Sequence, residues 1–196
     1  MNAEIISSNQ MYKGWGTLTE YVFRYQRFDG EISEISREVY DRGHAAGVLL
    51  HNPINDKVIL VRQFRPPALI NGHNPYIIEA VAGLLDGDMP DVCARREALE
   101  EAGVVVIELE FVSAAYALCS SVTEILFMYI GTYDECDRRS GGGLANEGED
   151  IQVVEMKLDD AYGMVLRGEI VDMKTIILLQ ALMLKRIGLG TAETHE

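Results

Sequence analysis

The sequence predicts an α+β fold or a three-layer mixed sandwich, on three observations. Candidate strands come first, then one helix, then strands again, then two helices, with no internal repeat, linker or charge block between them. Asp29-Gly30, set between two runs of alternating character, is a strong hairpin signal. Apolar residues make up 48% of the 196, enough to fill one sizeable core.

Thr19 to Phe28 alternates as a strand does, and Glu31 to Tyr40 returns from the turn with Ile32 and Ile35 among polar residues. The first forty residues therefore read as an arm ending in a β-hairpin. Gly47 to His51 and Val58 to Phe64 are short apolar runs around a turn-rich Asn52 to Asp56, a strand pair buried at least in part. Pro66 to Pro75 reads as a loop and Tyr76 to Ala82 as a further strand. After a loop from Gly83 to Gly87 a helix is expected: Asp88 caps it, Pro90 suits its first turn, and Gly103 ends it. Val104 to Ala117 and Ile125 to Tyr133 are β-rich. Ser140 to Asp150, with three consecutive glycines, reads as a mobile loop, and Ile151 to Leu158 as the last strand. Helices from Asp159 to Arg167 and from about Met173 to Ile187 follow, the second ended by Gly188 and Gly190.

Charge narrows the function. With 17 Lys+Arg against 31 Asp+Glu the net is -14, the wrong balance for gripping nucleic acid or an anionic membrane. The acidity serves solubility, or some of the carboxylates hold a divalent cation. No apolar run approaches the roughly 18 residues of a membrane span. The start lacks the basic-then-hydrophobic order of a secretory signal, so a cytoplasmic protein is expected. Cys93, Cys119 and Cys136 are odd in number, far apart and without a CxxC, which suggests neither a disulfide framework nor a zinc site. A reduced compartment fits. His44, His51, His73 and His195 form no metal-binding pair.

The informative stretch is Ala82 to Gly103. On a helix, Glu97, Glu100 and Glu101 are spaced i, i+3, i+4 and share a face. Like charges so placed destabilise a helix by a few tenths, about 0.2–0.5 kcal/mol, per pair. Water and Arg96 offset this weakly; a hard cation such as Mg²⁺, which selects oxygen ligands, would offset it strongly. Val92, Cys93 and Leu99 are expected on the opposite face, against a sheet. Alone, the acidic run reads as a solvated helix face. Preceded by an apolar strand and a glycine loop, it is a rarer, composite feature.

That composite resembles the Nudix box, G-x5-E-x7-R-E-U-x-E-E-x-G-U with U aliphatic. Arg96 to Val104 matches its second half and Gly83 its opening. The run from Gly83 to Arg96 is one residue short. The early Glu position, which in the family mainly orients the helix, holds Met89 counted from Gly83 and Asp88 counted back from Arg96. Other pieces extend the likeness over nearly the whole chain: Arg37 to Gly43, Val61 to Arg65, Ser121 to Glu124, Gly148 to Ile151 and Arg167 to Leu179. Together they look like the GDP-mannose pyrophosphatase and ADP-ribose pyrophosphatase branch, in which a shortened box also occurs.

The resemblance implies an α/β/α Nudix sandwich over residues 1–196. Residues 1–43 would form a β-hairpin arm exchanged across a homodimer, and residues 44–196 a catalytic core. It implies hydrolysis of the diphosphate of GDP-mannose to GMP and mannose 1-phosphate, with ADP-ribose as the alternative substrate. The carbonyl of Ala82 and the side chains of Glu97 and Glu101 match metal ligands, the ion being Mg²⁺ with Mn²⁺ as the alternative, and Glu100 completes the acidic cluster. Glu149 matches a further acid on the glycine-rich loop. That loop is two residues longer than in the branch, which makes Glu147 a rival. Trp15 and Ser36-Arg37-Glu38 match positions at the guanosine end, the latter from a partner chain; Arg65, Gly83, Leu84, Glu124 and Lys174 match other substrate contacts. Independently of the likeness, Arg65 suits bidentate pairing with phosphate and the single Trp15 suits stacking on a base. A different class of reading, a nucleotide-sugar binding module without hydrolysis, is motivated by Met89.

Overall fold

The structure, a computed structural model, describes residues 2–143 and 150–189. It divides into two compact units: the chain up to His44 with Ala115–Leu126, and the remainder.

The first unit holds an antiparallel sheet of β1 (Ala3–Lys13), β2 (Thr17–Gln26) and β3 (Ile32–Asp41), in that order. The predicted hairpin is β2–β3, with Gln26 opposite Ile32 and Gly30 at φ 91° in the turn, where a side chain would be strained. β1 is an addition to the predicted arm. All eleven of its residues are exposed, and its pairing with β2 shifts register twice. A strand that buries neither face carries no period-2 signal, which is why the sequence hides it.

The second unit is built on a seven-stranded sheet. β4 (Ala45–Asn52) and β5 (Lys57–Phe64) form its centre. After a short helix, α1 (Pro66–Ile70), come β6 (Tyr76–Glu79) beside β5 and β7 (Val81–Leu84) beside β4. α2 (Pro90–Ala102) follows, then β8 (Leu109–Tyr116), β9 (Ile125–Thr132), β10 (Gln152–Lys157), α3 (Leu158–Leu166) and α4 (Met173–Arg186). The main path runs β10-β5-β4-β9-β8.

Alternation along β4 and β5 sorts the layers. Ala46, Val48, Leu50, Ile59 and Val61 pack with Cys93, Ala94, Ala98 and Ala102 of α2. Gly47 points the other way, against the Lys174 side chain of α4, where an added Cβ would sit 3.6 Å from its Cδ. α4 packs on β4 and α3 on β5, with Leu178, Leu179 and Leu182 buried. Each such leucine contributes about 1.5–3 kcal/mol. The result is a helix–sheet–helix sandwich of α+β class, as predicted.

Three details differ from expectation. Pro66 to Pro75 is not wholly a loop, since prolines at the first turn initiate α1. The strand from Tyr76 breaks at Ala80 and changes partner from β5 to β4. On α2, Cys93 is buried but Val92 and Leu99 are exposed; the buried stripe is Cys93, Ala94, Glu97, Ala98, Glu101 and Ala102. Two of the acids thus lie on the packed face. Among the described residues, no helix is long and apolar enough to cross a membrane.

Candidate active site

α2 begins at Pro90, a residue suited to the first turn, and ends at Gly103, whose φ of 66° lets its N–H bond Leu99 O while Val104 N–H bonds Ala98 O. Between these ends Glu97 and Glu101 face the sheet at 8% and 2% exposure, and Glu100 is half-buried. Glu101 accepts from the Ala82 N–H and from the Gln63 amide, both at 3.3 Å. Gln63 lies on the β5 face already occupied by Ile59 and Val61, so the apolar row ends in an amide aimed at the acid.

Gly83 is required for this arrangement: a Cβ built there would overlap the Glu97 carboxylate. Gly83→Ala is expected to displace that carboxylate and lower kcat about a hundredfold with the circular dichroism spectrum unchanged. Wild-type kcat in the variant would show that Glu97 need not lie against β7.

Arg96 answers the repulsion among the acids. Its Nη1 donates to Glu97 at 2.7 Å and Glu100 at 3.0 Å, its Nη2 to Leu84 O at 3.2 Å and its Nε to Asp88 at 3.1 Å. Burial works against its charge, but the carboxylates of Glu97, Asp88 and Glu100 more than reverse this and hold its pKa above the usual value. Asp88 was expected to cap α2. Met89 instead occupies the N-cap position without a side-chain bond, and is exposed. Asp88 therefore supplies the acid that ties loop to helix, in the register counted back from Arg96. Cys93 donates to Leu84 O at 3.3 Å, and burial, then the charge of Glu97, pushes its thiol up to about 11, so it stays a neutral packing residue.

A second group surrounds Glu79, 3% exposed at the end of β6. Arg65 Nε donates to it at 2.6 Å, and Lys174 Nζ pairs with it and with Asp172, the latter at 3.1 Å. Burial lowers the Arg65 pKa, but the bond to Glu79 outweighs it and leaves the guanidinium firmly charged. Asp172 also caps α4 by accepting from the Thr175 N–H at 2.9 Å, and Thr175 Oγ1 accepts from the Ala80 N–H at 2.7 Å. Arg65 and Lys174, predicted separately, thus share one buried carboxylate that sequence reasoning missed. An acid closing the apolar run Tyr76 to Ile78 was the available signal.

The first unit carries Trp15, Arg37, Glu38 and Glu124. Arg37 and Glu38 are exposed on β3, and Trp15 sits in the β1–β2 turn. The two pieces Tyr40–His44 and Ser121–Ile125 run together: Tyr40 N–H bonds Ser121 O, Thr123 N–H bonds Tyr40 O, and Ile125 N–H bonds His44 Nδ1. Glu124, 5% exposed, accepts from Arg42 Nε at 2.6 Å. Arg42 was not anticipated.

Ser140 to Asp150 was expected to be a mobile loop. Its described residues up to Gly143, with Arg139, clamp the end of α2. Arg139 N–H bonds Gly103 O, Gly142 N–H bonds Glu101 O, and Gly143 N–H bonds Glu100 O, at 2.6, 2.9 and 3.1 Å. These satisfy carbonyls that the last helical turn leaves open. A Cβ on Gly141 would fall 2.5 Å from the Ala102 carbonyl carbon, so only glycine fits. Ile151 N–H then bonds Gly142 O. Glu147 and Glu149 lie outside the described residues.

The Glu97 and Glu101 carboxylates are oxygen donors of the kind a hard divalent cation selects, and the Ala82 N–H bonds Glu101. Among the described residues no three His, Cys, Asp or Glu side chains converge as a ligand group; Glu97 and Glu101 are two buried carboxylates on one face of α2.

The family described as NUDIX domain matches residues 41–177. The chain belongs to the Nudix hydrolase family. A second family, described as GDP-mannose pyrophosphatase NudK N-terminal domain, matches residues 2–40, ahead of the Nudix domain. Curated relatives named GDP-mannose pyrophosphatase are similar over nearly all of both chains. The protein from Cronobacter sakazakii is 42% identical over 189 residues, covering 95% of this chain and 98% of its own. The one from Pectobacterium atrosepticum is 43% identical, covering 90% and 92%. A solved structure titled as an ADP compounds hydrolase matches with a TM-score of 0.70 at 17% identity, over 96% of this chain and 97% of its own, a likeness of fold. Nudix hydrolases generally depend on a divalent metal ion.

Proposed function

We propose that this Nudix hydrolase cleaves the diphosphate of GDP-mannose to GMP and mannose 1-phosphate with Mg²⁺. The observation that carries the reading is the pair of buried carboxylates, Glu97 and Glu101, held against the Ala82-Gly83 backbone. The names of the relatives support the choice of substrate. A cation on Glu97 and Glu101 would neutralise diphosphate charge and acidify the attacking water. Arg65 and Lys174 place positive charge for phosphate oxygens, with Glu79 holding them in place. Arg96 holds Glu97 and Glu100 in register, and Leu84 O fixes one arm of its fork. Trp15, Arg37 and Glu38 take the guanosine end, and Glu124 a sugar hydroxyl. Glu149 accepts the proton from water, with Glu147 as the rival.

The chain acts as a homodimer. β1 is exposed along its whole length, and Ile5, Met11, Tyr12 and Ile32 stand out from the three-stranded sheet, apolar surface that a second copy would cover. Light scattering at twice the chain mass is the expected result. The odd number and wide spacing of Cys93, Cys119 and Cys136, without a CxxC, support a cytoplasmic setting.

The deciding experiment offers GDP-mannose and ADP-ribose in parallel with Mg²⁺ and identifies the products. GMP and mannose 1-phosphate formed much faster than AMP is expected. Faster cleavage of ADP-ribose would keep the metal site and replace the substrate. Binding without cleavage would favour a nucleotide-sugar binding module.

A further inference from the structure

We propose that Arg42 is a positioning residue of the substrate site: one guanidinium fixes both the plane of Trp15 and the carboxylate of Glu124. The inference rests on the function proposed above, in which Trp15 stacks on the guanine.

Trp15 is 73% exposed, and a side chain that free ordinarily samples several rotamers, which would have to be frozen when a base stacks on it. Two features hold it in advance. Gly16, buried beside it, lies so close to Tyr40 and the Asp41 carbonyl that no Cβ fits, which pins the turn to β3. The Arg42 guanidinium then lies 5.2 Å from the indole centroid, within cation–π range. One face of the ring is covered by the cation, and the other is left for a ligand.

The same Arg42 donates its Nε to Glu124 at 2.6 Å. Its backbone is fixed on both sides. Asp41 accepts from the Gly43 N–H at 3.0 Å and from Thr123 Oγ1 at 2.8 Å, and Tyr40 is paired with Ser121 and Thr123. Asp41 is held below the usual carboxylate range chiefly by the Gly43 bond, so this lock stays closed at neutral pH. A planar fork can stack on a ring and present its Nε edge to a carboxylate at once; an ammonium cannot do both. The planarity of Arg42, and not its charge alone, is what the arrangement uses.

The test compares Arg42→Lys and Arg42→Gln with wild type for GDP-mannose turnover with Mg²⁺. It adds a GMP titration followed by tryptophan emission, which reports Trp15 alone because the chain has one tryptophan. Both variants are expected to raise KM about tenfold with kcat changed less than about threefold, and to weaken GMP by a similar factor. In a Trp15→Ala background, Arg42→Gln should cost only about threefold in KM, the part that acts through Glu124, since its other partner is gone. An unchanged KM in either folded variant overturns the proposal. So does full additivity with Trp15→Ala, which would mean Arg42 acts elsewhere. If Arg42→Gln does not fold, Arg42→Lys carries the same two outcomes. Wild-type protein that binds GMP but cleaves no GDP-mannose would overturn the catalytic reading and leave the emission titration to decide Arg42.

Discussion

Glu101→Gln is expected to lower turnover about a hundredfold or more while the chain stays folded and melts close to wild type. Glutamine keeps the volume, and its amide oxygen can still accept from the Ala82 N–H. What it loses is the negative charge that a divalent cation would need. Because the position is 2% exposed, removing that charge removes a desolvation cost that offsets the lost attraction to Arg65, so little loss of Tm accompanies the loss of activity. Glu100→Gln, at a half-buried site tied to Arg96, should cost far less. Near wild-type kcat in Glu101→Gln would remove this residue from the metal set.

The same change at Glu79 should have the opposite signature. Glu79 is equally buried, but it is the shared partner of Arg65 and Lys174. Glu79→Gln strands a lysine that is largely buried and leaves it only Asp172. Breaking a buried pair from one side costs about 3–5 kcal/mol. For a chain of this size that is a fall in Tm of about 6–20 °C. Thermal unfolding of the two variants side by side reads the contrast directly. If Glu79→Gln melted with wild type, the Arg65 and Lys174 pairings would carry no stability.

The contrast also marks where sequence was informative. The β2–β3 hairpin, the stop of α2 at Gly103 and the i, i+4 spacing of Glu97 and Glu101 are local, and each was legible. The packing face of α2 was not. Its buried stripe is alanine, one cysteine and two glutamates, so hydrophobicity points to Val92 and Leu99, which face solvent. Gln63, Glu79 and Arg42 were missed because each gains its meaning from a partner far along the chain: Glu101, Lys174 and Glu124. Asp88 lay in view, since the spacing back from Arg96 named it, but only the ion pair chooses between it and Met89.

The clamp at Gly141–Gly143 has a consequence for how such a protein can diversify. Gly142 gives its N–H to the carbonyl of Glu101 and takes the N–H of Ile151 on its own carbonyl. These two bonds fix Gly142 and Ile151 to the end of the helix that carries Glu97 and Glu101. Adding or removing two residues between them alters closure entropy by only about 0.2–0.3 kcal/mol. A change of length there that keeps both bonds and the proposed acid, Glu149, need not disturb the geometry of the buried carboxylates.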